Sequence, residues 1–249
     1  MFHHLRSGVA TISSSTKTST PFPFEPVRGR STVQDVVYRA LNDALVVGRF
    51  EPGQVLTLDA LAKSFGTSHM PVREALRRLA AESALELTAG GSCRVPTVSR
   101  DRLDQLFDAR YALEVLAVER AVPFVKGDLL RSVRQACAAH QEISRDDGVE
   151  ALLRCNREFH FLIYSASGSE VLTQLIGLLW LRFGPYLRML SRALEARIGP
   201  AEFDNGAVHH LDLIAAFERQ DVPAAAAAIR GDTGATYDML VALIDGETA

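Results

Sequence analysis

The segment from Leu58 to Val98 constrains the fold most. Two helical patterns, Leu58–Phe65 and Ser68 to about Glu82, are separated only by the turn Gly66-Thr67. Thr57 and Ser68 stand where helix N-caps accept backbone amides, and Asp59 lies near the positive end of its helix. Pro71 is tolerated because first-turn amides lack intrahelical partners. On the second helix Val72, Ala75, Leu76 and Leu79 share one face, while His69, Arg73 and Arg77 share another. Two strand-like runs come next, Leu85–Thr88 and Cys93–Val98, around the turn Ala89-Gly90-Gly91-Ser92. Helix, tight turn, helix and hairpin in this order make a winged helix-turn-helix. An outer helix face bearing His and Arg suits a DNA major groove, where Arg bonds guanine bidentately or reaches phosphate. Ser68 and the free first-turn amides add an anion site.

The flanks differ in kind. Residues 1–30, with Ser13-Ser14-Ser15 and Pro21-Phe22-Pro23-Phe24, keep no helical or strand period and read as a disordered arm. Helical pattern begins at Thr32, with Val33, Val36, Val37, Ala40, Leu41, Ala44 and Leu45 read as one buried face, and stops at Gly48. Beyond Ser99 every segment is helical. The expected spans run from Ser99 to about Val125, Gly127 to Ser144 and Asp147 to near Gly168. A long helix starts at Ser169, with a break at Gly184-Pro185; the last two run from Pro200 to near Gln220 and from Pro223 to about Asp245. The expected fold is therefore mainly α: an arm (1–30), a winged helix-turn-helix (31–98) and an all-α antiparallel bundle (99–249).

Charge respects the same division. Residues 28–98 carry nine Arg/Lys against seven Asp/Glu, whereas residues 99–249 carry 16 against 22. A mildly basic module beside an acidic one suits one part facing phosphate and another repelled by it. No apolar run reaches the roughly 18–20 residues of a membrane span. The longest, Val171–Leu181, contains Thr173 and Gln174 and stops at Arg182. Met1–Ser15 lacks the apolar stretch of a signal peptide. Cys93, Cys137 and Cys155 are far apart and read as reduced thiols, so a cytoplasmic protein with no membrane partner is expected.

The stretches Gly48-Arg49-Phe50-Glu51-Pro52-Gly53, Leu58–Gly66 and Ser68–Leu79, above all Pro71-Val72-Arg73-Glu74-Ala75-Leu76-Arg77-Arg78-Leu79, closely resemble the GntR family of bacterial regulators. By that resemblance Ser68, His69, Met70, Arg73 and Arg77 face the DNA, with Ala89 and Gly90 at the wing tip. His69 stands where the family commonly has Arg, and Ala89 lacks a polar side chain, so a borrowed operator sequence does not transfer. The second half resembles the FCD-type effector domain of the FadR branch, through Arg110-Tyr111-Ala112-Leu113-Glu114, Phe159-His160, His210 and Gln220-Asp221.

Many such domains hold a divalent metal through an Asp and a His four residues apart and two later His. The same spacing yields Asn156, His160, His210 and Asp232 here. Two imidazoles, a carboxylate and a carboxamide oxygen suit Zn²⁺, Ni²⁺ or Mn²⁺; a metal-free polar pocket is the alternative. Counting back from Asp221 turns His210 inward and leaves His209 on the solvent side. The resemblance puts Arg110, His160 and His210 at the effector cavity, where Arg110 either meets a carboxylate or pairs with Glu114 one turn on. Without metal, protonated histidines would supply the positive charge, and anion binding would fade above about pH 6.5. The stripe Phe159, Ile163, Leu172, Leu175, Leu179 and Trp180 reads as core. Together these features imply a ligand-responsive DNA-binding regulator. It is expected as a homodimeric repressor of a catabolic operon on a pseudo-palindromic double-stranded operator, with a small carboxylate metabolite as effector. The rivals are a metal-dependent bundle enzyme, which lacks the Glu-x-x-His repeats and any nucleophile motif, and an architectural DNA binder, which has no use for a large acidic domain.

Overall fold

Local chemistry sets the helix starts in the computed structural model, which describes residues 32–144, 147–197 and 207–246. Helix α1 (Val33–Val46) opens on a capping box in which Thr32 and Asp35 bond each other's backbone amides. Thr57 caps α2 (Leu58–Phe65) by accepting from the Ala60 amide, and Gly66 ends it in the left-handed region at φ 60°. Helix α3 (His69–Ala81) buries Val72, Ala75, Leu76 and Leu79, as its period requires. Ser68, contrary to expectation, gives α3 no side-chain cap and stands exposed.

The wing is a three-stranded antiparallel sheet in the order β1-β3-β2: Val55–Leu56, Cys93–Arg94 and Glu86–Leu87. Its turn is a single 3₁₀ turn over Ala89–Gly91, with Gly90 at φ 79°. Strand β1 leaves no mark in the sequence pattern; two residues are too few for an alternation to register. Arg94 faces Val55 on one side and Glu86 on the other, and pairs with Glu86 at 3.1 Å. The predicted apolar face of α1 is narrower than expected. Val37, Leu41, Ala44 and Leu45 are buried, whereas Val33, Val36 and Ala40 are exposed on an adjoining stripe.

Six helices complete the fold: α4 (Arg100–Ala121), α5 (Gly127–Glu142), α6 (Gly148–Ser165), α7 (Glu170–Arg197), α8 (Val208–Arg219) and α9 (Val222–Ile244). Ser99 caps α4 through the Arg102 amide, Ser169 accepts from the Leu172 amide, and Asp221 caps α9 through the Ala224 amide. Helix α4 packs on α9 and α7, α8 on α9, and α5 on α6 and α8. Helix α7 does not break at Gly184-Pro185. Interior Pro costs about 3 kcal/mol. Phe183, Tyr186, Leu187 and Leu190 are all buried around it, and burial at about 1.5–3 kcal/mol each outweighs that cost. The arm of residues 1–30 and the expected helix start at Pro200 lie outside the described residues.

The winged helix-turn-helix (hereafter the reader) and the bundle share one compact unit, Ser31–Ala249. Helix α7 crosses α1 so closely that a Cβ on Gly184 would overlap the Leu45 carbonyl, and one on Gly48 would stand 2.7 Å from the Arg188 amide nitrogen. Arg182 donates to the Glu82 carbonyl at 2.8 Å and Arg102 to the Ser83 carbonyl at 3.3 Å, so bundle arginines satisfy the C-terminal end of α3. Arg49 meets Glu150 at 2.5 Å, across a cleft of about 360 Å³ that Arg154 and Arg157 also line.

Candidate functional site

The reader presents its outer helix face to solvent. Ser68, His69, Met70 and Arg77 are exposed, as are Ala89 and Gly90 at the wing tip. Arg73 is half-buried, its Nε 3.8 Å from where a side chain on Gly91 would begin, so it lies between α3 and the wing. His69 pairs with Asp59 of α2 at 2.9 Å and Arg77 with Glu74 at 3.0 Å. Arg78, next along, stacks on Tyr38 at 3.6 Å and pairs with Glu82, which ties it to the module's own frame.

Inside the bundle, α6, α8 and α9 bring His160, His210 and Asp232 together. His160 Nε2 stands 3.3 Å from His210 Nε2 and 3.2 Å from an Asp232 oxygen; the other Asp232 oxygen is 3.6 Å from His210 Nε2. Both imidazoles are fully buried and Asp232 is half-buried. Donors bound to one zinc at ordinary lengths stand about 3.0–3.4 Å apart for tetrahedral to octahedral angles. Two imidazole nitrogens and a carboxylate oxygen, each able to offer a lone pair, converge at a spacing that fits a divalent cation. Asn156 sits one turn before His160 on α6, half-buried. His209 takes the outward position beside Asp212 and packs on Gly231, where a Cβ would strike its ring.

Burial holds His210 down to about 3, helped by the neighbouring His160. Burial and His160 likewise hold His140 down to about 4. Neither ring gains a proton near pH 6.5, so they do not supply the positive charge expected of a metal-free pocket there. Burial pushes Asp232 up, but the facing His160 and His210 outweigh it and leave its carboxyl below the ordinary range.

Sequence reasoning did not place His140, Tyr164 or Trp180 at the site, and named Glu114 only as a partner for Arg110. His140 on α5 is 2% exposed, with its ring 4.9 Å from that of His210. Its signal was present, since Val133, Cys137 and His140 fall on one buried stripe. Glu114 is fully buried and central: Arg110 Nε and Trp180 Nε1 donate to one oxygen at 2.8 Å each, and Tyr164 Oη to the other at 2.7 Å. Trp180, read as core, therefore belongs to the polar network. Arg110 pairs with Glu114, the second of its two sequence readings, and its guanidinium lies over Trp180 and Phe183 at 4.8 and 4.3 Å. Phe159 stacks on His210 at 4.0 Å.

Comparison with known proteins bears on both modules. Residues 33–95 match the profile described as bacterial regulatory proteins, gntR family, and residues 105–232 match the FCD domain. The chain is 33% identical over 181 residues to the HTH-type transcriptional regulator McbR of Escherichia coli (strain K12), covering 73% of this chain and 80% of that one. It is 33% identical over 101 residues, 41% of each chain, to the gluconate operon transcriptional repressor of Bacillus subtilis (strain 168). The solved structure of E. coli McbR/YncC superposes with a TM-score of 0.79 at 29% identity, covering 85% of this chain and 98% of that one. Among the described residues no helix is long and apolar enough to cross a membrane.

Proposed function

The chain belongs to the gntR family of bacterial regulatory proteins and carries an FCD domain, and from this premise we propose a metal-assisted, effector-controlled repressor of a catabolic operon. Residues 31–98 read the operator and residues 99–249 sense the effector. Ser68, His69, Met70, Arg73 and Arg77 face the major groove, with Ala89 and Gly90 at the minor groove. A homodimer on a pseudo-palindrome is the arrangement that one reader per half-site requires. The repressor reading draws on the Bacillus relative, a gluconate operon transcriptional repressor.

The observation that carries the sensor is the convergence of His160, His210 and Asp232, all within 4.8 Å of one another. These residues, with Asn156 one turn away, would hold Zn²⁺, Ni²⁺ or Mn²⁺. The metal would supply positive charge and open coordination positions. Charge then selects the effector. Glu114 cancels Arg110, so Asp232 leaves the pocket acidic, and a divalent cation reverses that sign. A small carboxylate metabolite between Arg110 and the cluster is the ligand such a pocket prefers.

The test combines elemental analysis, calorimetry with a panel of organic acids, and electrophoretic shifts on the upstream region. One metal per chain, acid binding abolished by chelator, and operator affinity altered by the acid are expected. Metal far below one per chain after reloading, with acid binding indifferent to chelator, would remove the metal from the reading.

A further inference from the structure

Glu114 and Tyr164 have no part in holding the metal directly, yet their geometry dictates how His160 can act. Tyr164 owns a single hydroxyl proton, and the 2.7 Å contact commits it to the Glu114 carboxylate. Tyr164 Oη also lies 3.3 Å from His160 Nδ1. With the hydroxyl proton pointing elsewhere, that contact is a hydrogen bond only if Nδ1 carries the imidazole proton. The Nε2 lone pair then faces the other two donors of the cluster, at 3.2 and 3.3 Å. With His210 in the matching tautomer, two lone pairs and a carboxylate oxygen face one another, an arrangement that suits a cation between them.

We propose that Glu114 and Tyr164 are positioning residues that fix the tautomer and ring plane of His160, so that it offers Nε2 to the metal; this rests on the metal reading above. Glu114 can serve because its carboxylate is held in place: it is fully buried and anchored on its other oxygen by Arg110 and Trp180. The second imidazole has no such support. His210 Nδ1 is buried with no hydrogen-bond partner among the described residues, and Phe159 stacks on its ring. His160 is thus the preoriented ligand and His210 the adaptable one. Outer partners of ligating histidines typically matter about 10–100-fold in metal affinity.

The experiment measures zinc and cobalt binding to the full-length protein by competition with a chromophoric chelator, for the wild type and Tyr164→Phe. The variant keeps the ring and loses the hydroxyl. Affinity about 10–100-fold weaker and a shifted cobalt absorption spectrum are expected. Nitrogen-15 spectra of the metal-free wild type should show His160 protonated at Nδ1, a tautomer that no bound metal has imposed; a proton on Nε2 there overturns the positioning role even should Tyr164→Phe fail to fold. Wild-type affinity with an unchanged cobalt spectrum in the variant, or His160 bound through Nδ1, overturns the positioning role and leaves the metal site standing. A wild type that takes up neither metal overturns the metal site, and the positioning role with it.

Discussion

Replacing Glu114 with Ala is the sharpest test of the buried network. The change strands the Arg110 guanidinium, whose side chain is 11% exposed, against the Trp180 and Phe183 rings. It also removes the acceptor of Trp180 Nε1 and Tyr164 Oη. Breaking a buried ion pair from one side costs about 3–5 kcal/mol, against a total stability of about 5–15 kcal/mol. In the metal-free protein Tyr164 regains an acceptor once His160 shifts its proton from Nδ1 to Nε2, across the 3.3 Å contact, so no further cost is added for it. At about 2–4 °C per kcal/mol for a chain of this size, the melting temperature should fall by roughly 6–20 °C. The assay is a circular-dichroism melt of metal-free protein at pH 7.5. The double variant Arg110→Met/Glu114→Leu removes both charges and should regain most of the loss. Melting of Glu114→Ala within about 2 °C of wild type would refute the cost of a stranded charge. A double variant as unstable as the single one would place that cost in the cavity instead.

Unfolded imidazoles titrate near 6.5, whereas His140 and His210 are held to about 4 and about 3 in the fold. The unfolded state therefore binds more protons in that window, and chelated protein should lose melting temperature as pH falls from about 6.5 toward 4; a flat profile there would contradict the burial argument. Arg73→Ala should weaken operator binding by about 1–3 kcal/mol in shift assays and relax preference at one base pair. A lowered salt slope with unchanged preference would make Arg73 a phosphate contact instead. Gly184→Ala should destabilise by about 1–3 kcal/mol through overpacking against α1. It should also alter operator affinity while leaving metal content unchanged; wild-type melting and operator affinity together would show that the crossing is loose.

The reader was legible because it is written locally. The Gly66 turn, the apolar face of α3 and the Thr57 cap each depend on neighbours a few residues away. The strand Val55–Leu56 escaped because its partner Cys93–Arg94 is remote in sequence and the strand itself is too short to show a period. Family spacing reached the cluster His160, His210 and Asp232, and helical phase separated His210 from His209. Glu114, Tyr164 and Trp180 could not be gathered the same way. They come from three helices and meet only through tertiary packing, and an aromatic on a buried stripe looks like core until its polar edge finds a partner. The error at Gly184-Pro185 has the same root: a local break signal was overridden by the burial of its neighbours.

Helix α7 supplies what the proposed sensor needs, an element touching both modules. Within about one turn it carries Trp180, which donates to Glu114, Arg182, which satisfies the Glu82 carbonyl at the end of α3, and Gly184, which lies against the Leu45 carbonyl of α1. Arg110 is stacked between Trp180 and Phe183 of the same turn. A carboxylate that draws Arg110 from Glu114 must disturb that stack. Close packing at Gly184 leaves α7 little freedom to yield without moving α1 or the α3 terminus. Coupling, however, requires unequal affinity for two settings of the joint. A metabolite that filled the pocket while leaving Arg110 and α7 in place would bind tightly and leave operator affinity unchanged.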